Sequence, residues 1–182
     1  MAVMVERSWP ALFKAWRGMD VPAGWRSEIL GDRIVVSPPL SDQCLSVLSL
    51  VRRQLTRCVP DEFVVCQVRG VSVAALSLLL APSLVVVPRG LVGAGPVAAG
   101  MAVVVVEVAS AGDLETDRTT KRSGYAEGGV PFYLLIDRCD SGGVTLFSEP
   151  VDGGYRRFVR VPLGGKVVVP GPFGFELDCG GF

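Results

Sequence analysis

The apolar positions of this chain fall into short runs, and the polar positions between them recur with two periods. Residues 102–108 read Ala-Val-Val-Val-Val-Glu-Val, apolar except for Glu107. Residues 132–136 read Phe-Tyr-Leu-Leu-Ile and end against Asp137. Runs without alternation predict strands covered on both faces. A single carboxylate within such a strand delivers one charge to the edge of a sheet. Between the two runs, Asp113, Asp117, Lys121 and Tyr125 stand at successive i, i+4 steps, which predicts one stripe of a helix. Strand, charged helix, strand is a compact way to gather carboxylates and a lysine, the equipment of a metal-assisted hydrolase.

The remaining pattern extends this unit in both directions. Ser8 before Pro10 and the apolar residues behind them predict a helix start. Residues 25–30 and 33–37 read as two short strands around a Gly31-Asp32 hairpin turn, and Pro38-Pro39 stops the second. Leu45, Leu48, Val51 and Leu55 place an amphipathic helix over residues 41–57, with Arg52 and Arg53 on its polar side. Residues 63–68, 84–87 and 102–108 predict strands, and the stretch 71–87 as a whole fits two buried strands joined by a turn. Residues 90–100 form a Gly/Ala/Pro loop without periodicity. Beyond Asp137, residues 144–147, 155–161 and 166–169 are separated by Gly-Gly pairs and predict an antiparallel meander, followed by a turn-rich tail. Neither a repeat nor a linker divides the chain, so one α/β domain over residues 1–182 is expected.

Composition narrows the chemistry. At 182 residues and 49% hydrophobic, the chain can bury a substantial core. Eighteen basic residues balance eighteen acidic ones, which argues against strong nonspecific binding of nucleic acid while leaving a local basic patch open. There is no histidine, so any metal site must be built from oxygen ligands or thiolates. Cys44, Cys58, Cys66, Cys139 and Cys179 are odd in number and form no CxxC pair, which predicts ordinary thiols in a reducing cytoplasm. No signal peptide is evident at the N-terminus. Residues 71–87 are apolar but β-branched and interrupted by Pro82, so no membrane span is expected.

Several plain readings stand beside the chemical ones. Glu28 near the Gly31-Asp32 turn suits a solvated strand-end charge. Asp113, Asp117 and Lys121 alone suit an ordinary charged helix face. Tyr125 suits core packing of that helix on the sheet, and Gly128-Gly129 a helix end. Glu107 is harder to place plainly, because a buried carboxylate needs an ion pair with Lys121 or contact with metal or substrate.

Five segments in order also carry a resemblance: Ser27-Glu28 through Ser37-Pro-Pro, Ala81-Pro-Ser-Leu-Val-Val-Val-Pro88, Val106-Glu-Val-Ala-Ser110, Asp117-x-x-x-Lys121-x-x-x-Tyr125 and Gly129-Val-Pro-x-Tyr133-x-Leu-Ile-Asp137. In this order they resemble the Uma-two family of restriction-endonuclease-like proteins, and the closing residues 167–178 are similar to the C-termini of its actinobacterial members. The resemblance implies the PD-(D/E)xK nuclease fold, classed as α/β (α+β), with a central mixed sheet, flanking helices and a divalent metal at one sheet edge. It implies an endonuclease that hydrolyses phosphodiester bonds of nucleic acid with Mg²⁺ or Mn²⁺, and a possible homodimer through the apolar C-terminal meander.

Carried over residue by residue, the resemblance makes Glu107 a metal ligand and catalytic carboxylate, Glu28 the outlying N-terminal carboxylate, and Lys121 the lysine, displaced onto the helix. Asp117 becomes a neighbour that orients Lys121. The first metal aspartate is expected after Pro82, where this chain has Ser83, a poor Mg²⁺ ligand. A histidine common in the family near the start of the second helix is also missing, where the chain reads Ser41-Asp42-Gln43-Cys44. Two expectations follow. The chain is either a metal-dependent nuclease in which Asp42 or a water replaces the missing ligand, or a nuclease-fold binding or assembly protein that no longer cleaves.

Overall fold

Ser41 caps the longest helix, its hydroxyl accepting the Cys44 N–H at 3.3 Å. That helix, α2 (Asp42–Cys58), buries Leu48, Val51 and Leu55 of the stripe foreseen from spacing, together with Cys44 and Val47, while Leu45 of that stripe is exposed. It lies among elements of a computed structural model that describes residues 8–67, 69–91, 93, 95–109, 114–139, 142–171 and 173–182. Before it come α1 (Trp9–Arg17), β1 (Arg26–Leu30) and β2 (Arg33–Ser37). β3 (Phe63–Gln67), β4 (Val71–Val73), β5 (Leu78–Leu80), β6 (Leu84–Pro88), β7 (Val97–Ala98) and β8 (Val104–Ala109) follow. Next are α3 (Leu114–Thr116), a π-helical turn (Asp117–Lys121) and α4 (Arg122–Glu127). The chain closes with β9 (Phe132–Asp137), β10 (Gly143–Val151), β11 (Gly154–Val161), β12 (Lys166–Val169) and β13 (Phe175–Asp178).

The strands form three sheets: one of order β11-β10-β9-β8-β6-β3, a second of order β2-β1-β5-β4-β7, and a two-stranded ribbon β12-β13. The six-stranded sheet is mixed, because β8 and β9 run parallel while its other neighbours are antiparallel. The segment that separates β8 from β9 is the helical one carrying Lys121, as a parallel crossover requires. Both faces of this sheet are covered, which explains the unbroken apolar runs. Leu84, Val86, Val104, Val106, Leu134 and Ile136 pack under α2 and the β12-β13 ribbon. Val85, Val87, Val105, Tyr133 and Leu135 pack on the opposite face against Val71, Leu78 and Leu80 of the second sheet and Tyr125 of α4.

Several expectations are refined. The stretch 71–87 holds three strands, because a 3₁₀ turn with Ser77 at φ 52° and the corner Ala81-Pro82-Ser83 divide it. β5 belongs to the second sheet and β6 to the large one, so that corner is where the chain crosses between sheets. The region 90–100 contributes β7, paired parallel to β4. The C-terminal meander continues through β11. β12 then leaves the sheet and pairs with β13, which lies in the tail read as turns. Phe158 and Val159 of β11 and Val168 of β12 are exposed. The Gly31-Asp32 turn is the two-residue loop expected, with Gly31 at φ 65° and Leu30 paired to Arg33. Among the described residues no helix is long and apolar enough to cross a membrane.

The helical stripe is interrupted by geometry. Residues Asp117–Lys121 form a π-helical turn, so the helix widens before α4 resumes the ordinary pitch. Asp113 and the side chain of Asp117 lie outside the described residues. α4 is set close to the sheets by two glycines. A Cβ on Gly124 would come within 2.7 Å of Leu78 Cδ1, and one on Gly128 within 2.4 Å of Ala99 Cβ.

Candidate active site

Glu28, Glu107 and Lys121 come from three different elements and meet in the interior. β1 supplies Glu28, β8 supplies Glu107, and the π-helical turn supplies Lys121. Alternation along β8 fixes the direction of Glu107: Val104, Val106 and Val108 face α2, so Glu107 faces the second sheet and α4. Lys121 Nζ stands 3.1 Å from Glu28 Oε1 and 3.1 Å from Glu107 Oε1. Exposure is 1% for Lys121, 0% for Glu107 and 7% for Glu28, so this is a buried ion-pair cluster rather than a charged surface. A carboxylate at such a depth requires compensation by charge and hydrogen bonds.

The remaining bonds are supplied by neighbours. Tyr125 donates its hydroxyl to Glu107 Oε1 at 2.9 Å. The Ala81 N–H donates to Glu28 Oε1 at 2.7 Å. The Ser83 N–H and hydroxyl approach Glu107 Oε2 at 3.3 and 3.4 Å, and the Ser83 oxygen accepts the Val108 N–H at 3.1 Å. The corner between the two sheets therefore holds both carboxylates, one through Ala81 and the other through Ser83. Burial pushes the Tyr125 phenol well above its ordinary pKa, and the charges of Glu107 and Glu28 push it further. Tyr125 thus stays a donor through the neutral range. Its spacing to Lys121 put it on the same stripe, but nothing in the sequence distinguished a hydrogen-bonding tyrosine from a packing one.

Arg118 and Asp137 form an ion pair that the sequence did not suggest. Asp137 ends β9, and its other oxygen accepts the Cys139 N–H at 2.8 Å. The pair ties the π-helical turn to the strand parallel to β8, which helps fix the position of Lys121. Asp42 is exposed in the first turn of α2 and makes no contact with the cluster among the described residues.

A cleft of about 410 Å³ opens beside the cluster. Its walls include Trp16, Trp25, Pro39, Leu45 and Leu48, and Ser27, Ala81 and Ser83 bring it to the carboxylates. Trp16 is anchored by donating from Nε1 to Ser27 Oγ at 2.8 Å. Apolar walls converging on a few polar groups are the usual makings of a ligand site.

The donor set agrees in kind with a hard divalent cation, since it offers two carboxylates and a hydroxyl. The Lys121 ammonium already marks a point at which one positive charge is shared by both carboxylates. The site is anion-poor, however: among the described residues, no group of three or more His, Cys, Asp or Glu side chains gathers to hold a metal.

The family described as "Putative restriction endonuclease", Uma2, matches residues 10–179. The chain belongs to the Uma2 family. A crystal structure from Anabaena variabilis ATCC 29413, of "a putative nuclease belonging to DUF820", superposes with a TM-score of 0.71 at 14% sequence identity, covering 94% of each chain. At that identity the likeness establishes the fold, which is the nuclease-like mixed α/β architecture expected. No curated protein matches the chain.

Proposed function

We propose that this Uma2 protein is a divalent-metal-dependent endonuclease that hydrolyses phosphodiester bonds of nucleic acid, with Ser83 standing where the family carries its first metal aspartate. The observation that carries the reading is the convergence of Glu28, Glu107 and Lys121 within 3.1 Å contacts, behind the Ala81 and Ser83 that line a cleft and bond the two carboxylates. Glu28 and Glu107 would hold Mg²⁺ or Mn²⁺, with the Ser83 hydroxyl as a neutral neighbour. Bound there, the cation would lower the pKa of an attacking water and neutralise charge growing on the phosphate. Lys121 would orient that water and offset developing negative charge. Tyr125 and the Ala81 N–H hold the two carboxylates in fixed directions, so neither needs to reorient during reaction. Asp117 is assigned the orientation of Lys121. The reading takes residues 1–182 as a single domain working in the cytoplasm, which five free thiols favour.

One observation favours a second reading, a nuclease scaffold that binds without cutting. The Ser83 hydroxyl is neutral and already bonded to Glu107 and Val108, and Lys121 already neutralises part of the pair. Cleavage of plasmid and single-stranded DNA with Mg²⁺ or Mn²⁺ separates the two readings. Wild-type cleavage that chelator abolishes supports the nuclease. Silence in the wild type, with activity appearing in Ser83→Asp and vanishing in Ser83→Asp/Lys121→Ala, supports the disarmed scaffold. Silence in all three overturns the nuclease reading and leaves the binding module. Thermal melting gives a readout independent of activity. Ser83→Asp adds a third carboxylate, so without metal it should melt below the wild type, and Mn²⁺ should raise its Tm more than that of the wild type.

A further inference from the structure

Three hollows on the surface share walls and run from the Ala81-Pro82-Ser83 corner along α2. The first is the tryptophan-lined cleft that ends at Ser83. Gln67, the last residue of the edge strand β3, lines both that cleft and a second hollow walled by Ser49, Arg52, Arg53, Thr56 and Arg57. Arg52 and Thr56 also line a third, which continues past Phe63 and Val65 to Arg89. A helix of 17 residues extends about 25 Å, long enough for several nucleotides.

The charge of this track is one-sided. Arg52, Arg53 and Arg57 are exposed, and among the described residues none of their guanidinium groups is held in an ion pair. Among the described residues, Asp61 in the third hollow is the one carboxylate lining the three. Asp42 is the one acid on α2, a full two turns or more from the arginines. Zero net charge for the whole chain therefore conceals a local basic strip. At its opposite end, Trp16 and Trp25 present indole rings to an apolar cleft, with Trp25 41% exposed.

We propose that this track binds a single strand of nucleic acid, with one unstacked base against Trp16 and Trp25 and the phosphates along Arg52, Arg53 and Arg57. The proposal rests on the nuclease reading and narrows its substrate class. Guanidinium groups suit phosphate oxygens in geometry and charge. Indoles suit the face of a base, and that face becomes available once the base leaves a stack. In a duplex both faces are covered by neighbouring pairs, so the cleft would stay empty and the arginines alone would contribute. Ala81 and Ser83, which bond the buried carboxylates, line the base cleft, and Gln67 joins that cleft to the arginine-walled hollow, so the sugar-phosphate chain passes the corner that holds the cluster.

The test is fluorescence anisotropy of labelled strands of about 12 nucleotides, DNA and RNA, against a duplex of the same sequence, all in chelator. Single strands should bind about tenfold tighter than duplex and quench tryptophan fluorescence. Trp25→Ala should erase that preference, and Trp25→Phe should restore it, which separates loss of a stacking face from loss of fold. Arg53→Glu/Arg57→Glu should weaken both ligands and flatten the salt dependence of single-strand affinity, whose log–log slope should be about −2 in the wild type. Equal or tighter duplex binding, or a single-strand affinity unmoved by Trp25→Ala, overturns the proposal. Metal-dependent cleavage without single-strand preference would overturn the track alone. Single-strand binding by a chain that cuts nothing in either metal would uphold the track and overturn the hydrolase. The DNA and RNA arms tell which sugar the track accepts.

Discussion

Lys121→Met removes one positive charge from a site that buries two negative ones. Both carboxylate oxygens lie 3.1 Å from the same nitrogen, so they are no more than twice that distance apart. Each ion pair contributes about 5 kcal/mol of gross attraction at an effective dielectric of 20, much of it offset by desolvation. Breaking such a buried pair by deleting one partner costs about 3–5 kcal/mol, because the orphaned carboxylate stays buried. For a chain of this size that corresponds to a loss of roughly 10 °C in Tm. Met keeps most of the aliphatic volume, so the loss reports charge rather than a cavity. Circular-dichroism melts and urea titrations at neutral pH measure it. Adding Glu28→Gln and Glu107→Gln to Lys121→Met should recover much of the deficit, since neutral amides no longer need the ammonium. A Lys121→Met variant that melts within about 2 °C of the wild type would refute the argument, because the stabilisation at stake would then be below about 1 kcal/mol.

Three further outcomes follow from the same contacts. Tyr125→Phe deletes the hydroxyl bonded to buried Glu107 and should cost about 1–3 kcal/mol in urea unfolding while leaving the fold intact. Gly128→Ala would set a Cβ 2.4 Å from Ala99 Cβ, which cannot rotate away, and should cost about 1–3 kcal/mol. Alkaline pH should destabilise the protein. The Cys179 thiol is pushed up from 9.0 to about 11 by burial, and Tyr125 and Tyr155 are raised above 10.0 for the same reason. The unfolded chain sheds these protons first, so stability should hold to about pH 8, fall from pH 9 and steepen beyond 10. Chemical denaturation across that range checks the sign, and Tyr125→Phe should remove part of the steeper phase.

Much of the architecture was legible from local pattern. Alternation was absent in residues 102–108 and 132–136 because both faces of the large sheet are covered, and that absence is itself a readable signal. The apolar spacing of Leu48, Val51 and Leu55 announced α2, and Gly31-Asp32 announced the hairpin. Glu28, Glu107 and Lys121 were each nominated from sequence, Glu107 as the charge within an apolar strand and all three through the family resemblance. The burial of Glu107 even required a partner, since a carboxylate inside a sheet cannot stand alone.

What the sequence left undecided depended on contacts between distant segments. Periodicity reports which face a residue occupies but not which element covers that face. It therefore could not say that Ala81 and Ser83 turn the corner between two sheets and each bond one of the two carboxylates. It could not turn Tyr125 from a packing residue into a donor, nor pair Arg118 with Asp137 across the crossover. The π-helical turn hid as well, because an i, i+4 stripe looks the same whether or not one turn widens. The basic strip on α2 vanished into a net charge of zero. Local chemistry set which strands and helices form and where charge enters the core. Long-range packing decided which of those charges meet, since two carboxylates 79 positions apart in sequence come within reach of one ammonium only when two sheets are stacked.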